Sequence, residues 1–182
     1  MRKLFLAILI VGVFFLSAGK TYAEKIAGDS AYISYKDITS ENKDLFIKKL
    51  AIKNVLAKHD SQLENKVDTF MNACIEYELD CYLLPSITGV ESSFAKFTYP
   101  NSNNPFGWGG GLIMFQDWEE SIETVAEGLR KNYLDRGADT VDKIGPIYAT
   151  TTTWAPKVNH FIAEFRQEEE KIQLFLSKNQ VE

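Results

Sequence analysis

Apolar residues recur at helical spacing in six stretches of this chain. The second stretch carries five apolar residues whose offsets of 0, 4, 7, 8 and 11 place them on one helical face, namely Leu63, Val67, Phe70, Met71 and Cys74. Ser61 and Glu64 before this face predict a capping box. The first three helices are expected at about 42–59, 61–74 and 81–95, with Pro85 either in the first turn of the third helix or at a kink.

Prolines and glycines then interrupt the pattern over 97–116, where the short apolar run 112–115 is either part of a loop or a small strand. Helix returns at Asp117, with Glu120 three residues on, and its stripe continues to Tyr133. A short helix is capped by Thr140 and runs through Ile144, and a last helix begins at Trp154, with 168–171 as its solvated side. These elements predict a mainly α, single-domain fold with a small irregular or β lobe after the third helix.

The first 23 of the 182 residues read as a signal peptide, with a basic start, an apolar run over 4–16 and a small-residue exit at Ala23. Residues 24–41 lack periodicity and are expected to form a tether, and 42–182 the folded domain. Either the signal is cleaved or its apolar run stays as an anchor, and no later stretch is apolar enough to span a bilayer. The protein is therefore expected to be secreted or extracytoplasmic.

Charge argues against nucleic acid as a partner. Cleavage of the signal removes three cations, Arg2, Lys3 and Lys20, and no acid. The formal net charge then changes from −5 to −8. A protein that binds phosphates needs a basic face. The densest basic run looks like the solvated side of the first helix and comprises Lys43, Lys48, Lys49, Lys53 and Lys58.

Export makes the two cysteines, Cys74 and Cys81, candidates for a disulfide. On one unbroken helix they would lie roughly 10 Å apart, so a bridge requires the helix to break between them. A break near 78–80, with Asp80 as the next N-cap, would allow it. The alternatives are two free buried thiols or a metal site. No metal and no cofactor are expected, because the histidines that could act as further ligands, His59 and His160, are single and far apart in the sequence.

Glu91 stands out on the third predicted helix, because its neighbours at helical spacing include Ile87 and Phe94. A carboxyl on or beside an apolar stripe is desolvated, paired or functional. Desolvation raises a carboxyl pKa and keeps the group protonated as a general acid. The alternative is a glutamate at the stripe edge whose stem packs while its head reaches water.

Four ordered motifs resemble the lysozyme-like superfamily of peptidoglycan-cleaving enzymes, and within it the bacterial glucosaminidase family most closely, with lytic transglycosylases further away. They are ITGVESSF at 87–94, NPFGWG at 104–109, FQDWEESI at 115–122 and IY at 147–148 before Trp154. The likeness covers roughly 62–166. It implies a lysozyme-like fold and cleavage of the β-1,4 bond between N-acetylglucosamine and N-acetylmuramic acid.

The resemblance also implies roles for matching residues. Glu91 matches the general acid, Tyr148 a tyrosine facing it across the cleft, and Asn104, Phe106 and Gly107 the loop that shapes the cleft floor. Trp108 and Trp154 are added because flat aromatic faces suit sugar rings. Without the resemblance, 104–111 reads as a plain turn-rich loop, and Tyr148 and Trp154 serve packing as readily as function, while Trp118 belongs to the core.

No Asp or Glu lies between Glu91 and Asp117, so the second carboxylate of ordinary glycosidases has no evident counterpart in the lobe. A mechanism with Glu91 as the single acid is expected, which allows either hydrolysis or lytic transglycosylation. The competing function is a non-catalytic module that binds glycan or a partner protein of the cell envelope.

Overall fold

The computed structural model describes residues 40–178, in which the chain is mainly α-helical. The helices are connected by short turns, except between the third and fourth. In this part of the chain they are α1 Ser40–Lys58, α2 Val67–Glu76, α3 Leu83–Ser92, α4 Trp118–Asn132, α5 Val141–Tyr148 and α6 Trp154–Lys178.

The predicted signal peptide and most of the predicted tether lie outside the described residues. Helix α1 begins at Ser40, so the last two residues assigned to the tether are helical. Contacts divide the chain into Met1–Lys43 and Asp44–Glu182. The core, the lobe and the site described below belong to the second unit.

The predicted stripe of α2 is confirmed, because Leu63, Phe70 and Cys74 are almost fully buried. The predicted capping box of Ser61 and Glu64 was wrong. The hydroxyl of Ser61 accepts the Leu63 N–H at 3.0 Å and donates to the carbonyl of Phe94 at 2.9 Å. A 3-10 turn at Glu64–Lys66 therefore comes first, and the α-helix starts at Val67.

The later helix starts follow the sequence pattern. Asp117 accepts the Glu120 N–H at 2.8 Å and Thr140 accepts the Lys143 N–H at 3.3 Å, which confirms both predicted caps. Helix α5 continues to Tyr148 and not only to Ile144, with Pro146 inside it. Asp80 is not the N-cap of α3; its carboxylate accepts the Tyr82 N–H at 2.9 Å, just before the helix.

Helix α6 packs along α3, and this pairing contributes more residue contacts than any other pair of described elements. Val158 and Phe165 are fully buried on its inner face. The predicted solvated segment 168–171 is only partly solvated. Glu169 accepts the Tyr82 hydroxyl at 2.7 Å, and Glu168 accepts the Asn54 amide at 2.9 Å.

The lobe between α3 and α4 is irregular, and no strand forms at 112–115 or elsewhere in the part of the chain that the structure describes. Phe115 alone of that run is buried, while Leu112 and Met114 are 75% and 55% exposed. The Asn103 amide donates to the carbonyls of Phe115 and Gln116, both at 3.0 Å. Side-chain bonds to the backbone thus organise this lobe in place of a strand ladder.

The disulfide joins Cys74 near the end of α2 to Cys81 just before α3, with their Cα atoms 4.9 Å apart. The helix breaks between them, as a bridge requires, and Glu78 in the break has a positive φ of 49°. The bond therefore holds the start of α3 against the end of α2.

Replacing both cysteines by serine is expected to lower the free energy of unfolding by about 2–4 kcal/mol, because the short loop gains freedom in the unfolded chain. Denaturant unfolding of the oxidised wild type and the double variant measures the difference. Reduced wild type serves as the control and should match the variant. Equal stability of all three samples would contradict the expectation.

Candidate active site

Glu91 lies in the last turn of α3 at the mouth of a cleft. The Trp154 indole N–H donates to its carboxylate at 2.7 Å. The residue is solvent-exposed as a whole, yet the protein atoms around its carboxyl raise the pKa by desolvation, while Trp154 and the charge of Lys157 lower it. The net pKa lies above the ordinary value, which favours a proton donor.

The end of α3 has an unusual backbone. Ser93, Phe94 and Ala95 all have positive φ, between 53° and 67°. This left-handed run turns the Phe94 ring back onto Gly89, where a Cβ would lie 2.7 Å from the ring. Glycine is therefore needed at 89. Backbone strain such as the positive φ angles of residues 93–95 is commonly stored at functional sites.

Ser92 connects the end of α3 to the lobe. Its buried hydroxyl lies 2.8 Å from the Pro105 carbonyl and 3.0 Å from the Thr88 carbonyl, and it accepts the Ala95 N–H at 2.9 Å. Ser92 thereby fixes the cleft loop next to Glu91. Ser92 lies within the ITGVESSF motif, which did not predict a role for it.

Asn104 organises the loop that follows. Its carbonyl oxygen accepts the Trp108 N–H at 3.0 Å, and its amide donates to the carbonyls of Trp108 and Ile113 at 2.9 and 3.2 Å. Phe106 is fully buried beneath the loop. Asn104 and Phe106 thus shape the cleft from below and are not placed to contact a substrate directly.

Gly107 brings the loop backbone against the catalytic candidate. Its φ is +61°, and a Cβ on it would lie 2.9 Å from the Glu91 carboxylate. The position therefore favours glycine for its backbone conformation, and a Cβ there would also displace the end of the Glu91 side chain. The structure brings Gly107 and Glu91 together.

Aromatic rings form one wall of the cleft. Tyr148 stacks on Trp154 with centroids 4.8 Å apart, and Trp108 lies 5.7 Å from Tyr148. The Tyr148 hydroxyl donates to the Phe106 carbonyl at 2.7 Å. Burial and then the charge of Glu91 raise the Tyr148 pKa well above its usual value, so this phenol stays neutral.

A pocket of about 300 Å³ opens between this wall and the loop, and Gly107, Trp108, Tyr133 and Tyr148 line it. A larger pocket of about 450 Å³ lies between α5 and the start of α6. Glu91 is not among the residues that line either pocket, but its carboxylate lies against Gly107, which lines the smaller one. We place the candidate site at the smaller pocket because a carboxyl with a raised pKa and a surface for sugar stacking adjoin there.

Two residues of this site were not predicted. Tyr133 was assigned to the core stripe of α4, but it is half-buried, lies 6.2 Å from Trp108 and lines the pocket. Gly128 leaves room for the Trp108 ring, since a Cβ there would lie 2.5 Å from it. A glycine inside an otherwise apolar helical stripe was the one available signal for this close approach.

The acids after the lobe serve other purposes. Asp117 caps α4, and Glu119 pairs with Lys66 at 2.5 Å. Glu120 accepts the Gln116 N–H at 2.6 Å. Within residues 40–178, no second carboxylate contributes to the pKa shift of Glu91. The site has one catalytic carboxyl candidate in the described chain.

Substitution of Trp154 by Phe is expected to move the alkaline limb of the activity profile to higher pH. The change removes the N–H that stabilises ionised Glu91, so the pKa of Glu91 rises and the acid form persists to higher pH. The pH dependence of kcat/KM measures this. Trp118→Phe, in α4, is the control with an unchanged profile, and a limb that moved to lower pH in Trp154→Phe would contradict the expectation.

No group of three or more His, Cys, Asp or Glu residues suited to a metal ion is found among the described residues. In the same part of the chain, no helix is long and apolar enough to cross a membrane.

No protein-family model and no curated protein matches this chain. The lysozyme-like resemblance therefore stays a prediction from the motifs.

Proposed function

We propose that this protein is an exported peptidoglycan hydrolase of the lysozyme-like type that cleaves β-1,4 bonds between N-acetylglucosamine and N-acetylmuramic acid. The observation that carries the proposal is the state of the Glu91 carboxyl. It accepts the Trp154 N–H, its pKa is raised, and it lies beside an aromatic cleft. The helical fold and the irregular lobe are compatible with the fold that the resemblance implies. The disulfide between Cys74 and Cys81 fits export, because such bonds persist outside the cytosol.

Glu91 acts first as an acid in this mechanism. Its proton passes to the glycosidic oxygen as the bond from that oxygen to the anomeric carbon breaks. The carboxylate then takes a proton from the attacking nucleophile, which bonds to the anomeric carbon. Desolvation favours protonated Glu91 in the first step, and the Trp154 N–H stabilises the ionised form that results.

The positive charge that develops on the sugar needs stabilisation without a second carboxylate. The substrate's own N-acetyl oxygen supplies part of it. The Tyr148 hydroxyl donates its hydrogen bond to the Phe106 carbonyl, so the lone pairs of its oxygen are what it offers to the cleft. This orientation favours a cationic transition state.

The nucleophile decides the reaction class. Water gives hydrolysis and a reducing end, whereas attack by the 6-hydroxyl of the muramic acid gives the anhydro sugar of a lytic transglycosylase. A cleft with a single carboxyl supports both, because neither reaction needs a second protein base once Glu91 is ionised.

A non-catalytic module that binds glycan or an envelope partner protein is the second candidate function. The observation that favours it is the lack of a second carboxylate near Glu91 in the described chain. Such a module would use the same aromatic wall and would show no turnover.

Digestion of purified peptidoglycan sacculi by the full-length chain, read by mass spectrometry, tests the proposal. Fragments with reducing ends are expected, and fragments lighter by one water would identify a lytic transglycosylase. Retained binding to sacculi with no released fragment between mildly acidic and neutral pH would favour the binding module and overturn the enzyme.

A further inference from the structure

Lys157 lies on the α6 face that packs along the last turn of α3. Trp154, three residues earlier, contacts Glu91, and Phe161, four residues later, lies against Gly89. Residues three and four apart share one helical face. Lys157 therefore lies between these two contacts on the same face, while its neighbour Val158 is buried. This placement puts a cationic side chain near Glu91, whose carboxyl its charge reaches.

The side chain of Lys157 is exposed and has no carboxylate oxygen within 4.0 Å among the described residues. Lys66 pairs with Glu119 at 2.5 Å and Lys143 with Asp139 at 2.7 Å, whereas Lys53 and Lys96, like Lys157, have no such pair among the described residues. What distinguishes Lys157 from the other unpaired lysines is its place near the candidate acid, in a chain of net charge −5.

We propose that Lys157 binds a carboxylate of the glycan substrate beside the bond that Glu91 cleaves, and so determines specificity for acidic over neutral glycans. This inference rests on the function proposed above. When Glu91 is protonated and ready to react, it carries no charge, so the substrate becomes the source of an anion for Lys157. The same protonation removes the repulsion between Glu91 and a bound carboxylate.

Peptidoglycan offers this chemistry from two sources. The lactyl group of muramic acid has a free carboxylate where the strand has lost its peptide, and an attached peptide carries carboxylates of its own. A polymer of N-acetylglucosamine alone has neither group. If the lactyl carboxylate is the ligand, an amide-bond hydrolysis that removes the peptide must precede cleavage by this protein.

Binding is measured in a Glu91→Gln background, where the expected cleavage is about 10³-fold slower and residue 91 carries no charge that could interact with Lys157. The full chain with Glu91→Gln alone is compared with the same chain carrying Lys157→Gln. The ligands are peptide-free strands, the same strands with lactyl carboxylates converted to amides, peptide-bearing strands, and an N-acetylglucosamine hexamer. Titration calorimetry gives each Kd.

Lys157→Gln is expected to raise the Kd for peptide-free strands about three- to tenfold and to leave that for amidated strands and the neutral hexamer unchanged. A loss confined to peptide-bearing strands would support Lys157 with the peptide as the source. Equal Kd values for both proteins on all four ligands, or the same loss on all four, would overturn the proposal.

Lys53→Gln in the same background is the matched control, because it removes the same charge from an exposed position on α1. The polar contacts of α1 with α6 involve Glu164, Glu168 and Glu169, ten or more residues beyond Trp154. Turnover of sacculi by the wild type is a separate measurement. An inactive wild type whose binding still depends on Lys157 would therefore reject the enzyme and retain the anion site.

Discussion

Glu91→Gln is expected to lower the rate of glycan cleavage about 10³-fold, the loss typical of a general acid. Glutamine keeps the shape of the side chain and an oxygen that can accept the Trp154 N–H, so the cleft should persist. Release of soluble fragments from sacculi measures the rate. Wild-type activity in the variant would exclude Glu91 as the acid.

The same substitution has an expected effect on stability. Burial raises the pKa of Glu91 in the folded chain, so folding favours its proton, and this stability is lost as the pH rises through the folded pKa. At neutral pH, Glu91→Gln should therefore be at least as stable as the wild type. Thermal unfolding checks this and shows that a loss of activity is not a loss of fold.

Glu123→Gln is the matched control for Glu91→Gln. Burial and then the nearby Glu76 also raise the pKa of Glu123, but this residue lies on α4, where its electrostatic neighbours are Glu76 and Tyr77. The residues that contact Glu91, Trp154 and Gly107, are not among them. Its replacement should leave cleavage unchanged. An equal loss in both variants would show that the activity depends on net charge or stability and not on the carboxyl at the cleft.

Gly107→Ala is expected to lower kcat/KM about 100-fold, because a displacement of about 1 Å in a catalytic group can have this effect. The new methyl group would lie 2.9 Å from the Glu91 carboxylate, which must move away. The positive φ of +61° adds about 1–2 kcal/mol of strain. Steady-state kinetics and denaturant unfolding measure the two effects separately.

Gly137→Ala separates the backbone effect from the steric one. Gly137 has a φ of +90°, and a Cβ there meets nothing within 4 Å. It should lose similar stability and keep its activity. If Gly107→Ala were as active as Gly137→Ala, the close approach of the loop to Glu91 would have no catalytic importance.

Local sequence patterns predicted most of the helices. Asp117 with Glu120 and Thr140 with Lys143 are caps that involve residues three apart, so short-range chemistry determines them. The same local rule predicted a capping box at Ser61 and was wrong there, because the Ser61 hydroxyl donates to the Phe94 carbonyl, 33 residues away. Where a distant group competes for a polar side chain, local rules lose their predictive value.

The site shows the same division. Glu91 could be singled out from its position on an apolar stripe, and the resemblance named most of its neighbours. The Trp154 bond to Glu91 spans 63 residues, and the Tyr148 bond to Phe106 spans 42, so spacing alone predicts neither. Tyr133 and Lys157 joined the site only because packing of α4 and α6 brings them to the cleft.

The sequence by itself therefore determined the helical class, which follows from periodicity. It made a break between the cysteines the condition for a bridge, and it marked Glu91 as the candidate acid through the apolar stripe together with the resemblance. Only the tertiary structure decided that the lobe is irregular, that the disulfide closes, and which side chains surround Glu91. The physical reason is that burial, close approach and the pairing of charges depend on contacts between segments far apart in the chain, and these contacts leave no local pattern.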